Sequence, residues 1–199
     1  MPSKRKQKNQ AKTPRRAVFV DRDGVLNEEV NYLGKAEDLR MIAGAAAAVK
    51  RLRGAGFKVI VISNQAGVAR GFFTDSDLKA VTDRLNEELR AAGTRVDAIY
   101  YCTHHPDAGE KVRCECRKPG TAMLKQAEKR FHLDFKLSFF IGDTTTDIQT
   151  ARNAGCVSVL VKTGKAGQDA CYPDARADFE CADMPAAADW IISRRRASA

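Results

Sequence analysis

The sequence predicts an α/β fold, a three-layer sandwich in which helices cover both faces of a central parallel sheet. Three observations predict it. Short apolar runs alternate with helical segments along the 199 residues, which is the pattern of repeated βαβ units. The runs are apolar throughout, as strands buried on both faces are. Several of them end at or beside a polar residue, namely Asp21, Ser63, Cys102 and Asp143. Parallel sheets bind ligands in the crevice beyond the carboxyl ends of their strands.

Taken in order, residues 17–21 (AVFVD) form the first expected strand. Residues 45–53 follow as a helix, opened by Gly44 and closed by Gly54 and Gly56. Residues 57–62 (FKVIVI) give a second strand, and residues 75–92 a long amphipathic helix with Thr74 as its N-cap. A short strand at 98–101 runs into a Cys/His segment. A helix at 121–130, a strand at 137–141, a helix at 147–153 and a strand at 157–161 (VSVLV) follow. The last helix, 185–193, carries Trp190. No internal repeat is visible. Only about 20 residues between Asp21 and the helix at 45 are free to cover the site, so no large cap domain is expected.

At 44% hydrophobic residues the chain can fill a core. No run of 18 apolar residues exists, so no membrane contact is expected. Residues 1–16 lack the apolar stretch of a signal peptide, and the expected compartment is cytoplasmic. The formal charge of +9 is concentrated at the ends: residues 1–16 hold seven basic side chains and no acid, and Arg194, Arg195 and Arg196 add three more. Both ends, 1–16 and 194–199, read as solvated tails around one domain at 17–193 that is itself nearly neutral. No aromatic residue interleaves the N-terminal basic run to stack a base, so nucleic acid is not the expected partner. A monomer acting on a small molecule is.

Asp21-Arg22-Asp23-Gly24 follows an apolar run directly, and Asp143 and Asp147 follow another. Crowded carboxylates repel and invite a divalent cation, and an all-oxygen set suits Mg²⁺. An ionised carboxylate can also attack phosphorus, while a second carboxyl group supplies the leaving oxygen with its proton. Alone, Asp-x-Asp-Gly reads better as a turn with N-capping acids than as a reactive centre.

Cys102-Thr103-His104-His105-Pro106 and Cys114-Glu115-Cys116 give Cys-x-His, nine intervening residues, then Cys-x-Cys. Three thiolates and an imidazole satisfy tetrahedral Zn²⁺ and leave no open position, so the expected site, spanning 102–116, is structural. His105 competes with His104 as the nitrogen ligand, and reduced thiols or a Cys114/Cys116 redox pair are the alternatives. A structural zinc site contributes on the order of 10 kcal/mol, enough to order a polar loop and place Arg117 and Lys118 just beyond it.

Together these segments resemble the haloacid dehalogenase (HAD) superfamily, whose four short motifs match Asp21-x-Asp23, Ser63, Lys118 and the pair Asp143/Asp147. The resemblance covers about residues 17–164. It implies a Rossmann-like, HAD-like fold and a Mg²⁺-dependent phosphomonoester hydrolase working through an aspartyl phosphate. Asp21 would be the nucleophile and Asp23 the general acid/base. Ser63 and Lys118 would bind the transferring phosphoryl group, and Asp21, Asp23 and Asp143 would hold Mg²⁺.

Asp-Arg-Asp-Gly, Ser-Asn-Gln-Ala-Gly-Val-Ala-Arg-Gly at 63–71 and the segment Cys-Glu-Cys-Arg-Lys-Pro-Gly at 114–120 further resemble the D-glycero-D-manno-heptose 1,7-bisphosphate phosphatase and histidinol-phosphate phosphatase family. That likeness implies a sugar-phosphate substrate, heptose 1,7-bisphosphate converted to heptose 1-phosphate. Glu29, Val30, Asn31, Tyr32, Ser63, Asn64, Gln65 and Ala66 would line its site, with Arg117 and Lys118 meeting its phosphates. Histidinol phosphate and a nucleic-acid 3′-phosphate stay as alternative substrates. Two residues depart from the family pattern: Ser63 stands where Thr is frequent, and Thr144 where a Lys is.

Overall fold

A computed structural model describes residues 15–108 and 114–197, with the side chains of 195–197 left aside. Most of the basic N-terminal tail, and residues 109–113 of the expected zinc loop, therefore lie outside the described residues. Five strands and five helices alternate, with one short strand before the last helix. They are β1 (Ala17–Val20), α1 (Ala45–Gly54), β2 (Lys58–Asn64), α2 (Asp75–Ala91), β3 (Ala98–Cys102), α3 (Ala122–Phe131), β4 (Phe139–Gly142), α4 (Thr145–Ala154), β5 (Val157–Val161), β6 (Phe179–Cys181) and α5 (Met184–Ala197).

The sheet is parallel throughout, in the order β3-β2-β1-β4-β5-β6. Its strands read as continuous apolar runs because both faces are covered. Val18, Val20, Val59, Val61, Ile141 and Val159 pack on one side with α1, α2 and α5. Ala17, Phe19, Ile60, Ile62 and Phe140 pack on the other with α3 and Ala151 of α4. Each fully buried Leu, Ile or Phe in these layers contributes about 1.5–3 kcal/mol relative to exposure.

Most element ends shift by one or two residues from the sequence reading, and three departures have a local reason. α4 starts two residues early, because the Thr144 side chain accepts from the Asp147 N–H while Asp147 accepts from the Thr144 N–H, a capping box. β6 has the sequence Phe-Glu-Cys, too short to show as a strand. Its Phe179 stacks on Trp190 of α5 at 4.2 Å. α5 runs on to Ala197, so Arg194 belongs to a helix and places its guanidinium 4.7 Å above the Trp190 ring.

The strand order sets the site. The chain moves from β1 outward through β2 to β3, then returns to the other side of β1 to form β4. The direction of winding therefore reverses between β1 and β4, and the crevice at their carboxyl ends is where such sheets receive ligands. Asp21 ends β1 on that crevice and Asp143 ends β4 beside it, with the Asp21 N–H donating to the Ile141 carbonyl at 3.0 Å. No helix among the described residues is long and apolar enough to cross a membrane.

Candidate active site

The crevice is a polar cavity of about 410 Å³. Its floor is built around one ammonium group. Lys118 is 5% exposed, and its Nζ lies 2.8 Å from Asp21 Oδ2 and 2.6 Å from Asp147 Oδ1. Asn64, the last residue of β2, fixes the lysine from behind: its Oδ1 accepts the Lys118 N–H at 2.9 Å and its amide donates to the Lys118 carbonyl at 3.3 Å. Ser63 sits beside it with its hydroxyl 3.1 Å from Gln65 Nε2.

Oxygens of Asp21, Asp143 and Asp147 all lie within 4.8 Å of one another. Two glycines let the chain close around Asp143. A Cβ on Gly24, whose φ is +74°, would fall 2.4 Å from Asp143 Oδ2, and one on Gly164, at φ +62°, 2.3 Å from the same atom. Burial first, then the neighbouring carboxylates, push the Asp21 carboxyl up to about 6 against the pull of Lys118. Burial followed by the charges of Asp147 and Asp21 push Asp143 up to about 8. Three carboxylates around one ammonium leave negative charge unbalanced. The donor set, all hard oxygen, fits a divalent cation such as Mg²⁺. Among these three, both oxygens of Asp147 are engaged, Oδ1 by Lys118 and Oδ2 by the Thr144 cap. Asp21 is engaged as well, Oδ1 by the Arg22 N–H at 2.7 Å and Oδ2 by Lys118, but Asp21 and Asp143 line the cavity and the fully buried Asp147 does not, which makes those two the better-placed ligands.

Those shifts fix the pH response of the metal-free protein. In the unfolded chain the two carboxyls titrate near their ordinary value of 3.8. Between that value and about 8 the folded state holds more protons than the unfolded one, so stability falls as pH rises. The melting temperature in chelator is expected to drop from pH 5 to pH 8. Added Mg²⁺ is expected to raise it more at pH 8 than at pH 6, since protons no longer compete. A flat profile in chelator would show that the three carboxylates do not crowd as described.

Asp23 departs from its expected place as a ligand. Its carboxylate lies outside that acidic group and takes four donors. Oδ1 accepts from Arg22 Nε at 3.0 Å and Asn27 Nδ2 at 2.8 Å, and Oδ2 from Arg22 Nη2 at 2.9 Å and Gln65 Nε2 at 2.8 Å. Burial raises its proton affinity, but the Arg22 charge and these bonds win and hold the carboxyl below the ordinary range. Asp23 still lines the cavity, with 18% of its side chain exposed, and so faces the substrate space from beside the acidic group.

The Cys/His segment closes on itself. Cys116 Sγ lies 3.1 Å from Cys102 Sγ, Cys114 Sγ 3.7 Å from Cys102 Sγ, and His104 Nδ1 3.2 Å from Cys116 Sγ. All four ligand atoms fall within 4.8 Å of one another, the size of a tetrahedron with Zn–S of about 2.3 Å. His104 joins this group. His105 instead pairs with Arg70 at 2.9 Å and accepts from the Asp107 N–H. Burial opposes ionisation of Cys114, but donors from Arg117 N–H and the neighbouring thiols and imidazole outweigh it and bring the thiol down to about 7. Arg117 Nη1 donates to the His104 carbonyl at 3.3 Å, so this segment holds the guanidinium at the cavity wall.

Of the other residues expected to line the site, Glu29, Asn31, Tyr32, Ser63, Asn64, Gln65, Ala66, Arg117 and Lys118 do line the cavity. Val30 does not. Its neighbours on both sides face inward, and Val30 between them points out, 43% exposed. The sequence reading missed Lys165, Asp169, Cys171 and Tyr172, which form the wall beyond β5. Lys165 comes four residues after the apolar run 157–161, beyond the strand-end position that marks Asp21 directly after 17–20.

A parallel sheet with aspartates, a serine and a buried lysine gathered at its winding reversal defines a HAD-like hydrolase, and residues 115–187 match the family model described as HAD-hydrolase-like. A D-glycero-D-manno-heptose-1,7-bisphosphate 7-phosphatase of Thermosynechococcus vestitus is 43% identical over 190 residues, 90% of this chain and 97% of that protein. A D-glycero-beta-D-manno-heptose-1,7-bisphosphate 7-phosphatase of Escherichia coli (strain K12) is 36% identical over 89% of this chain and 88% of its own. The crystal structure of D,D-heptose 1,7-bisphosphate phosphatase from B. bronchiseptica, complexed with magnesium and phosphate, matches with a TM-score of 0.80 at 31% identity, covering 90% of this chain and 99% of that one. The chain thus belongs to the D-glycero-D-manno-heptose-1,7-bisphosphate 7-phosphatase family of HAD-like hydrolases.

Proposed function

We propose that this protein is a Mg²⁺-dependent phosphatase that removes the 7-phosphate of D-glycero-D-manno-heptose 1,7-bisphosphate and leaves heptose 1-phosphate. The observation that carries the chemistry is Lys118 held between Asp21 and Asp147 at 2.8 and 2.6 Å, beside the Ser63 hydroxyl. Relatives at 43% and 36% identity over nearly the whole chain support the substrate.

An oxygen of Asp21 attacks phosphorus, the bond from phosphorus to the sugar oxygen breaks, and an aspartyl phosphate forms. Asp23 gives the departing oxygen a proton. Water then attacks the aspartyl phosphate, Asp23 takes the water's proton, and phosphate leaves with Asp21 restored. Lys118 and Ser63 meet the equatorial oxygens, where charge must be balanced as the phosphoryl group moves. When bound, Mg²⁺ on Asp21 and Asp143 supplies further positive charge to the same oxygens. The four donors on Asp23 keep it ionised, the form that can take a proton, while weakening it as a base. To act as acid it must gain a proton and release a donor. Gln65 is the donor able to let go, because its amide keeps its second bond, to Ser63 Oγ at 3.1 Å, when the one to Asp23 is released.

Cys102, His104, Cys114 and Cys116 would hold a structural Zn²⁺ that keeps Arg117 and Lys118 in place. Cys116→Ser is expected to lose the metal by elemental analysis and weaken inhibition by inorganic phosphate about tenfold, the loss of one well-placed contact worth about 1.4 kcal/mol. A zinc-free variant with full phosphate affinity would refute that link. The setting implied is a cytoplasmic monomer with no nucleic-acid partner. A panel of heptose 1,7-bisphosphate, histidinol phosphate and 3′-phosphorylated DNA, with and without Mg²⁺, tests the reading. Heptose bisphosphate is expected to give the highest kcat/KM and none to turn over in chelator. Preference for either other substrate overturns the assignment.

A further inference from the structure

Three cations line the cavity among the described residues, Arg117, Lys118 and Lys165, and the chemistry above leaves Lys165 unused. Lys165 follows β5, whereas Arg117 follows the Cys/His segment beyond β3. With β1 and β4 between them in the sheet, the two stand on opposite flanks of Asp21 and Asp143. Thr144 lines the same flank as Lys165 and carries no charge.

Lys165 is not an ordinary surface lysine, although its side chain is 47% exposed. Its N–H donates to Asp143 Oδ2 at 2.7 Å, and the Gly167 N–H to the Asp143 carbonyl at 2.7 Å. Thr163 Oγ1 donates to the Gly24 carbonyl at 2.6 Å, and Asp169 accepts from the Thr145 N–H at 2.6 Å. Ala166 and Ala170 hold left-handed backbone, at φ 51° and 52°. Facing them across the mouth, Asn31 and Tyr32 do the same at 46° and 61°. Such strain persists only where the surroundings over-determine it, and it gathers at ligand clamps. The two strained loops meet through one loose ion pair, Lys165 Nζ to Glu29 Oε2 at 3.9 Å. Glu29 is itself anchored through Oε1 to the Asn31 N–H at 2.8 Å.

We infer that Lys165 binds the phosphate that is not transferred, with Glu29 holding its ammonium in place at the mouth until the substrate arrives. A dianionic phosphate out-competes a single carboxylate at 3.9 Å, and an ammonium on a fixed backbone is already aimed. Lys165 is therefore a specificity residue: it selects bisphosphates over monophosphates without touching the reacting phosphorus. This rests on the sugar-bisphosphate reading above.

The test compares the wild type, Lys165→Met and Lys165→Arg on heptose 1,7-bisphosphate and on heptose 7-phosphate, which share the departing O7 oxygen and differ only in the far phosphate. The wild type is expected to prefer the bisphosphate. Lys165→Met is expected to lose at least about tenfold in kcat/KM on it, chiefly through KM, so that the preference collapses; that is the loss of one charged contact. Lys165→Arg is expected to keep most of the preference. Equal losses on both substrates, no loss on either, or a wild type without preference overturns the inference while leaving the phosphatase reading intact. A wild type that hydrolyses neither heptose phosphate overturns the reading itself, and the inference with it.

Discussion

Asp21→Asn is expected to lower kcat by well over ~10³-fold, because an amide oxygen is too weak a nucleophile to replace the carboxylate in forming the acyl phosphate. The substitution is nearly isosteric. Asp21 sits in a floor where burial and Asp147 already push its carboxyl up to about 6, so removing its charge relieves repulsion with Asp143 and Asp147. The variant should therefore fold, and its melting temperature without metal should equal or exceed that of the wild type. Steady-state kinetics and a thermal melt check the two halves together. Activity within tenfold of the wild type would rule out Asp21 as nucleophile.

Lys118→Met should damage both activity and stability. Lys118 is the only ammonium in contact with Asp21 and Asp147 among the described residues, and methionine fills its volume without its charge. Removing one partner of a buried ion pair typically costs about 3–5 kcal/mol, because the remaining charge is left uncompensated. Removing one preorganised donor from a transition state typically costs about 10²–10³ in kcat. A melt should show the stability loss, and Mg²⁺ should recover part of it by neutralising the acidic group. Mg²⁺ should not recover turnover, since the donor to the phosphoryl oxygens stays missing. Full activity at saturating Mg²⁺ would show that the metal alone balances the moving charge.

The sheet was legible in the sequence because strands covered on both faces leave unbroken apolar runs, as in 17–20, 57–62 and 157–161. Where the signal weakened, structure supplied what pattern could not. β6 depends on Phe179 stacking against Trp190, a partner that only folding identifies. The start of α4 was written in Thr144-Thr145-Thr146-Asp147, but the acid drew attention as a metal ligand and hid its role as the reciprocal cap.

Part of the candidate site was legible because a polar residue stood at a strand end: Asp21, Ser63 and Asp143 line one cavity. Lys118 lines it too but ends no strand, and only the motif resemblance marked it. Long-range pairing was not legible. Arg22 reads as one more charge in an acidic turn, yet it is fully buried and holds Asp23 with two bonds, and that carboxylate stands outside the group of Asp21, Asp143 and Asp147. The wall from Lys165 to Tyr172 lies 144 to 151 residues from Asp21 in sequence. It comes to the site through Thr163, Lys165 and Gly167, which bond to Gly24 and Asp143.

The central claim is that phosphate passes through Asp21. Acid-quenching the wild-type enzyme during turnover with Mg²⁺, reducing with tritiated borohydride and mapping the labelled peptide reads that claim directly, since only an acyl phosphate is reduced. Label confined to residue 21, and missing from Asp21→Asn, is the expected result. Label on another residue, or none while phosphate is being released, would contradict it.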